Sequence, residues 1–247
     1  MLCLENVSKF YKNGDNRKVI AVDQLNLTIQ PNEFVCIIGR SGCGKTTTLR
    51  MIAGLEAASE GNIYLNGKKI TGPGAERCVV FQKYTLLPWR SILNNIAFGL
   101  EIKKINKKER HRVARKFLDL VGLSDYADAL PYELSGGMQQ RVAVARALAA
   151  DPDVLLMDEP FGALDAQTRN SLQNELIKIW QKQRKTVLFV THSIGEAVYL
   201  ADRIILMDAK NSGVHQIFEN PLPRPRDRNS SHARSFYQQV HQALEAI

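Results

Sequence analysis

The apolar positions of this chain follow two rhythms. LCLENVSKFY and VIAVDQLNLTIQ partly alternate apolar and polar residues on either side of KNGDNRK, where Asn13-Gly14 is a turn signal, and so predict a pair of antiparallel strands. From Phe34 the rhythm changes to a wholly apolar run ending at Ile38, a glycine-rich stretch, and a helix from about Lys45 to Ala53 that Gly54 ends. GNIYLNGKKI reads as a short hairpin turning at Asn66-Gly67, and CVVFQ as a further strand. Residues from about 91 to 149 read as mainly helical, a subdomain of their own. The strands VLLMD, TVLFV and RIILM then alternate with helices over Ala166 to about Gln183 and Ile194 to Leu200. That alternation predicts an α/β fold with a parallel core sheeted by helices on both faces. The tail, 221–247, opens with prolines and predicts a short helix near its end.

Composition narrows the classes. At 247 residues and 45% hydrophobic the chain can bury the core of one large domain. No run approaches the roughly 18 apolar residues a membrane-spanning helix needs, and MLCLENVSKFYKN lacks the features of a signal peptide, so a cytosolic location is expected. Cys3, Cys36, Cys43 and Cys78 have no metal-ligand spacing and read as small hydrophobes. The net charge of +8 suits nucleic acid or an anionic membrane surface without choosing between them. Much of it lies in IKKINKKERHRVARK and PLPRPRDRNSSHAR, which lack interleaved aromatics and read as a solvated helix face and a polar tail.

Candidate chemistry begins at GRSGCGKTT. Gly39, Arg40, Ser41, Gly42, Cys43, Gly44, Lys45 and Thr46 match G-x-x-x-x-G-K-[ST] between a strand and a helix, and Thr47 extends the stretch. Glycines let successive N–H groups turn inward, and the helix adds its unpaired donors and positive dipole end to the same anion. Lys45 would reach the β and γ phosphates of a nucleoside triphosphate, and the Thr46 hydroxyl would ligate Mg²⁺. VLLMDEP ends an apolar strand in two acids, where an unpaired carboxylate would carry a desolvation cost. Mg²⁺ accounts for Asp158. Strand alternation turns Glu159 elsewhere, free to orient or deprotonate an attacking water. A charged strand end at the surface is the plainer alternative. His192 follows TVLFV directly and Gln82 ends CVVFQ; at the carboxyl ends of parallel strands, these groups are expected to converge. His192 would bond the γ phosphate, or serve only as a cap or packing residue. Gln82 would contact Mg²⁺ or the water.

Any P-loop fold could own these pieces. Leu134-Ser135-Gly136-Gly137-Met138 adds a second helix N-terminus with a capping serine, hence a second anion site. With GRSGCGKTT, Gln82, LSGGM followed by QQR, VLLMDE, ALD and His192 in that order, residues 1 to about 220 closely resemble the ATP-binding subunits of ABC transporters. The resemblance implies a P-loop NTPase with a mixed or parallel sheet core, an antiparallel β subdomain and a helical subdomain, using ATP and Mg²⁺. It also implies a head-to-tail homodimer in which LSGGM of one copy closes over ATP held by the other. Carried over residue by residue, Tyr11 would stack on adenine, and Gly39 to Thr47 would hold phosphates and Mg²⁺. Gln82 would sense the γ phosphate, and Ser135, Gly136 and Gly137 would meet it in trans. Glu159 would be the catalytic base, Asp165 would join the two sites, and His192 would be the switch histidine.

YTLLPWRSILNNIAFGLE and DEPFGALDAQTR are similar to the importer subgroup for nitrate, sulfonates, taurine, bicarbonate and some pyrimidine precursors. That implies a peripheral location at the cytoplasmic face of the cell membrane and permease partners that dock near an exposed Leu86, Leu87 and Trp89. It further implies an extracytoplasmic solute-binding protein as an indirect partner, and no nucleic acid. Burial of those three residues under the helical subdomain is the alternative. Two features depart from the pattern. Ser193 stands where the family usually has aspartate, and MDAKNSGVHQI replaces the usual short turn. No added C-terminal regulatory domain is expected. A soluble ABC-type ATPase acting on nucleic acid or ribosomes is disfavoured, because the chain has neither a coiled-coil insertion nor two fused halves. A nucleotide-binding regulator without turnover is disfavoured by Glu159.

Overall fold

The computed structural model describes all 247 residues except 13–17, 83–84, 163, 184 and 209–212. In chain order the elements are β1 (Leu2–Lys12), β2 (Lys18–Ile29), β3 (Phe34–Gly39), α1 (Lys45–Ala53), β4 (Glu60–Leu65), β5 (Lys68–Lys69), β6 (Arg77–Val80), α2 (Ile92–Ile102), α3 (Lys107–Leu120), α4 (Gly136–Ala149), β7 (Val154–Asp158), α5 (Ala166–Gln183), β8 (Thr186–Val190), α6 (Ile194–Leu200), β9 (Arg203–Asp208), β10 (Gly213–Glu219) and α7 (Ser231–Glu245). Two compact units result, one of residues 1–74 with 186–247 and the other of residues 75–185.

In the first unit β2, β1, β4 and β5 form an antiparallel sheet in that order. Leu2, Leu4, Val7 and Ile29 are fully buried along it, which is why β1 and β2 alternate imperfectly: Asn6 and Gln24 adopt positive φ where the register shifts. The turn expected at Asn13-Gly14 lies outside the described residues. A second group of strands, in the order β10, β9, β3, β8, has β3 at its centre, parallel to both β8 and β9. All six residues of β3 are buried, as a wholly apolar strand requires when both faces are covered. The sheet is mixed rather than purely parallel, because β10 adds an antiparallel edge to β9. That strand, falling in the MDAKNSGVHQI departure, was not expected from the sequence. Its Val214, Ile217 and Phe218, of which only Phe218 is buried, are too few to set a clear period, and residues 209–212 before it lie outside the described set.

In the second unit β6 and β7 pair in parallel, Arg77 opposite Val154 through Val80 opposite Met157. CVVFQ was expected to be strand throughout, but β6 ends at Val80, leaving Gln82 in the following loop. Helices α2, α3 and α4 pack on one another, each opened by a polar side chain: Ser91, Asn106 and Ser135 accept from the backbone N–H of Asn94, Glu109 and Met138. The buried Asn95 amide holds the segment before α2. Its Oδ1 accepts from the Leu87 N–H at 2.8 Å, and its Nδ2 donates to the carbonyls of Leu87, Arg90 and Ser91.

The expected α/β class is borne out. Among the described residues no helix is long and apolar enough to cross a membrane.

Candidate nucleotide site

The glycine loop runs from the end of β3 into α1. Gly39 has φ +153, and a Cβ there would lie 2.4 Å from the Met207 carbonyl oxygen of β9. Gly44, the residue before α1, has φ +91, and its Cβ would lie 2.3 Å from the Ala21 carbonyl oxygen of β2. Glycine is therefore required twice over, by conformation and by the closeness of two strands. No side chain caps α1, so its first turn keeps its donors directed into the loop. Lys45 is almost fully buried, and its Nζ donates to the Gly39 and Arg40 carbonyls at 2.8 and 2.9 Å, with the Cys43 Sγ at 3.5 Å. Among the described residues this buried ammonium is held by neutral acceptors and has no carboxylate ion pair, a counter-charge that a phosphate would supply. Arg40, Ser41 and Gly42 are exposed at the tip, whereas Cys43 is buried and Thr46 and Thr47 are half-buried. Tyr11, at the end of β1, is partly exposed; its hydroxyl donates to Glu56 Oε1 at 2.5 Å. Burial first, and the Glu56 bond second, push its pKa up, so the ring stays neutral.

His192 is exposed just beyond β8. Around it the chain is held firmly. The buried Thr191 hydroxyl donates to Glu196 at 2.5 Å and accepts from the Ser193 N–H, and the Ser193 hydroxyl accepts from the Glu196 N–H to cap α6. Glu196 was missed in the sequence, although Ser193-x-x-Glu196 is a visible capping signature. Ser193 therefore performs the capping duty of the expected aspartate.

In the second unit Asp158 ends β7 nearly buried. Contrary to expectation, strand alternation does not govern Glu159. Its φ is +47, so the chain leaves the extended conformation at that residue. A non-glycine residue held there costs on the order of 1 kcal/mol or more and marks an over-determined position. Gln82 Nε2 donates to Glu159 Oε2 at 3.3 Å, bringing two of the expected site residues together. Asp165 is exposed, and its Oδ1 accepts from the Thr168 N–H at the start of α5; that bond comes first among the causes that lower its pKa. Ser135 caps α4 through its Oγ, 3.4 Å from the Met138 N–H, with Gly136 and Gly137 half-buried behind it.

The exposed patch expected at Leu86, Leu87 and Trp89 needs correction. Trp89 is 73% exposed, but Leu86 and Leu87 are half-buried, because Asn95 draws their loop inward. The polar tail is corrected too. Arg224 pairs with Asp202, Arg226 bonds the Tyr199 carbonyl, and Arg228 lies 3.4 Å over the Tyr199 ring, so these cations pack rather than stand in solvent.

The oxygen donors expected for a cation, the Thr46 hydroxyl, the Gln82 amide and the Asp158 carboxylate, are all hard ligands. Among the described residues no cluster of three His, Cys, Asp or Glu forms a cage. Oxygen donors of this kind suit Mg²⁺, which takes much of its shell from phosphate and water.

Comparison with known proteins agrees with this geometry. A family model described as ABC transporter matches residues 22–162. An uncharacterised ABC transporter ATP-binding protein of Methanocaldococcus jannaschii is 58% identical over 229 residues, 93% of this chain and 85% of its own length. The bicarbonate transport ATP-binding protein CmpD of Synechococcus elongatus is 46% identical over 92% of this chain and 82% of its own. The nitrate import ATP-binding protein NrtD of the same species is 46% identical over 85% and 78%. Among solved structures, a dimeric bacterial ABC transporter cassette superposes with a TM-score of 0.82 at 35% identity, covering 89% of this chain and 98% of that one. A post-hydrolysis form of that cassette, bound to ADP and Pi, matches equally well. The chain thus belongs to the ABC transporter family, as one of its ATP-hydrolysing, ATP-binding subunits.

Proposed function

We propose that this chain energises an import transporter for a small polar solute of the nitrate, bicarbonate, sulfonate, taurine or pyrimidine-precursor type, by closing as a homodimer around ATP and reopening after hydrolysis. The names of the bicarbonate and nitrate relatives support the solute class, and the dimeric cassette supports the assembly. The observation that carries the hydrolytic role is Glu159, strained out of its strand and held by Gln82.

In this reading the β and γ phosphates settle on the N–H groups from Gly39 to Thr47, and Lys45 exchanges its two loop carbonyls for phosphate oxygens. Tyr11 stacks on the adenine. Thr46, Gln82 and Asp158 would hold Mg²⁺, which when bound neutralises charge on the phosphate oxygens. Glu159 accepts a proton from the attacking water as its oxygen bonds to the γ phosphorus and the bond to ADP breaks. Gln82 fixes the carboxylate, and His192, on its rigid Thr191-Ser193 mounting, bonds the γ phosphate. Ser135, Gly136 and Gly137 of the other copy close over the same phosphate, and Asp165 links the two sites. The subunit sits at the cytoplasmic face of the membrane without spanning it. Trp89 anchors it to a permease, with Leu86 and Leu87 as supporting contacts, and the solute-binding protein is reached only through that permease.

Glu159→Gln keeps the amide contact but removes the base. Turnover should fall about 100-fold or more while ATP binding persists, and the ATP-bound protein should elute as a dimer in size-exclusion chromatography. Rapid turnover in that variant refutes the base role. Trp89→Glu should abolish co-purification with the permease and leave ATP binding intact; retained association would rule out the docking role.

A further inference from the structure

Behind α6, away from the residues used above, the tail encloses a cavity of about 460 Å³. Its walls are apolar: Val198 from α6, Leu222 from the tail, and Ala233 and Tyr237 from α7. Its charged lining groups are Arg226, Arg228, Arg234 and Asp227. The size lies within the range of small-molecule sites, and apolar walls with a few convergent polar groups are their usual composition.

Arg226 is the informative group. It is half-buried; its Nε donates to the Leu222 carbonyl at 3.1 Å and its Nη1 to the Tyr199 carbonyl at 2.9 Å. Among the described residues no carboxylate forms an ion pair with it. Two residues earlier Arg224, on the same tail, is neutralised by Asp202, so the missing counter-charge belongs to this cavity and not to the tail as a whole. Burial lowers the Arg226 pKa to about 10, the direction expected of a cation whose solvation has been removed and not replaced. Asp227 is exposed and turns one oxygen to the Asn229 N–H at 2.8 Å. Arg228 lies 3.4 Å from the Tyr199 ring centroid and also feels the buried Glu196 carboxylate, so its charge is engaged within the fold.

We propose that this cavity binds a small organic anion, a carboxylate or sulfonate on a flat apolar body, with its head at Arg226 and its body against Leu222 and Tyr237. An occupant there would join the two elements that form the walls. One, α6, begins directly after His192 and Ser193; the other, α7, ends with the Glu245 carbonyl 3.5 Å from Arg40 of the glycine loop.

The test uses the full chain saturated with ADP, so that the glycine loop is filled, and titrates 2-naphthalenesulfonate by calorimetry. The wild type should bind it, Arg226→Met should weaken binding about tenfold or more, as expected for loss of a charge-assisted contact, and Arg226→Lys should restore most of the affinity. The neutral 2-naphthalenesulfonamide should bind the wild type at least about tenfold more weakly. Should Arg226→Met fold poorly, hydrogen exchange on the wild type decides: the sulfonate should slow exchange across residues 222–238. No binding by the wild type, equal affinity of sulfonate and sulfonamide, or protection elsewhere than this segment would each overturn the proposal.

Discussion

Helices α1 and α4 both start at a glycine-containing turn, yet the two starts are built for different work. At α1 the residue before the helix is Gly44 in a left-handed conformation with no capping side chain, walled by β2 as Gly39 is by β9, and the adjoining Lys45 is buried over loop carbonyls. At α4 the exposed Ser135 satisfies the first turn with its own hydroxyl, and a Cβ on Gly137 would meet only Leu164, at ordinary contact distance. The first start is an enclosed anion cradle complete within one chain. The second is an open helix start that Ser135 already caps, and its proposed use, over the phosphate of a second copy, rests on the family resemblance.

The sharpest way to break this contrast is Lys45→Ala. It removes the buried cation of the cradle, so ATP affinity of the single chain should collapse and phosphate release should fall by about 100-fold or more. Near-normal turnover would mean the cradle holds something else. Ser135→Ala probes the other start. Loss of the cap should lower stability by about 1 kcal/mol in a thermal melt, with turnover of the assembled dimer down roughly tenfold and ATP affinity of the isolated chain unchanged. An affinity loss like that of Lys45→Ala would erase the distinction. The smallest effect is expected from Ser193→Asp, which exchanges one good cap of α6 for another: the change in stability should stay within about 0.5 kcal/mol and phosphate release near wild type. A large loss would show that the Thr191-Ser193-Glu196 arrangement depends on the hydroxyl itself.

Much of the fold was legible because its signals are local. The bounds of α1, α5 and α6 follow from periodicity with Gly54 or a capping residue at hand, and β3, β7 and β8 from short apolar runs. What escaped prediction depends on partners outside the local motif. Leu86 and Leu87 are half-buried because Asn95, eight residues beyond Leu87, turns its amide back onto their loop. The strand β10 exists because β9 offers an edge. Arg224 and Arg228 read as solvated until α6 supplies Leu200 and Tyr199 and the chain before β9 supplies Asp202.

By itself, then, the sequence determined the glycine loop, the serine cap and the acids after an apolar strand, since each is a few consecutive residues whose conformational freedom, charge and spacing carry the chemistry. Only the tertiary structure decided that Glu159 leaves its strand with positive φ beside Gln82, that Lys45 is buried over two loop carbonyls, and that an arginine-rich tail lines a cavity. Burial and pairing are properties of what packs against a residue, and the partner lies at any separation along the chain, eight positions for Leu87 and Asn95 and 77 for Gln82 and Glu159.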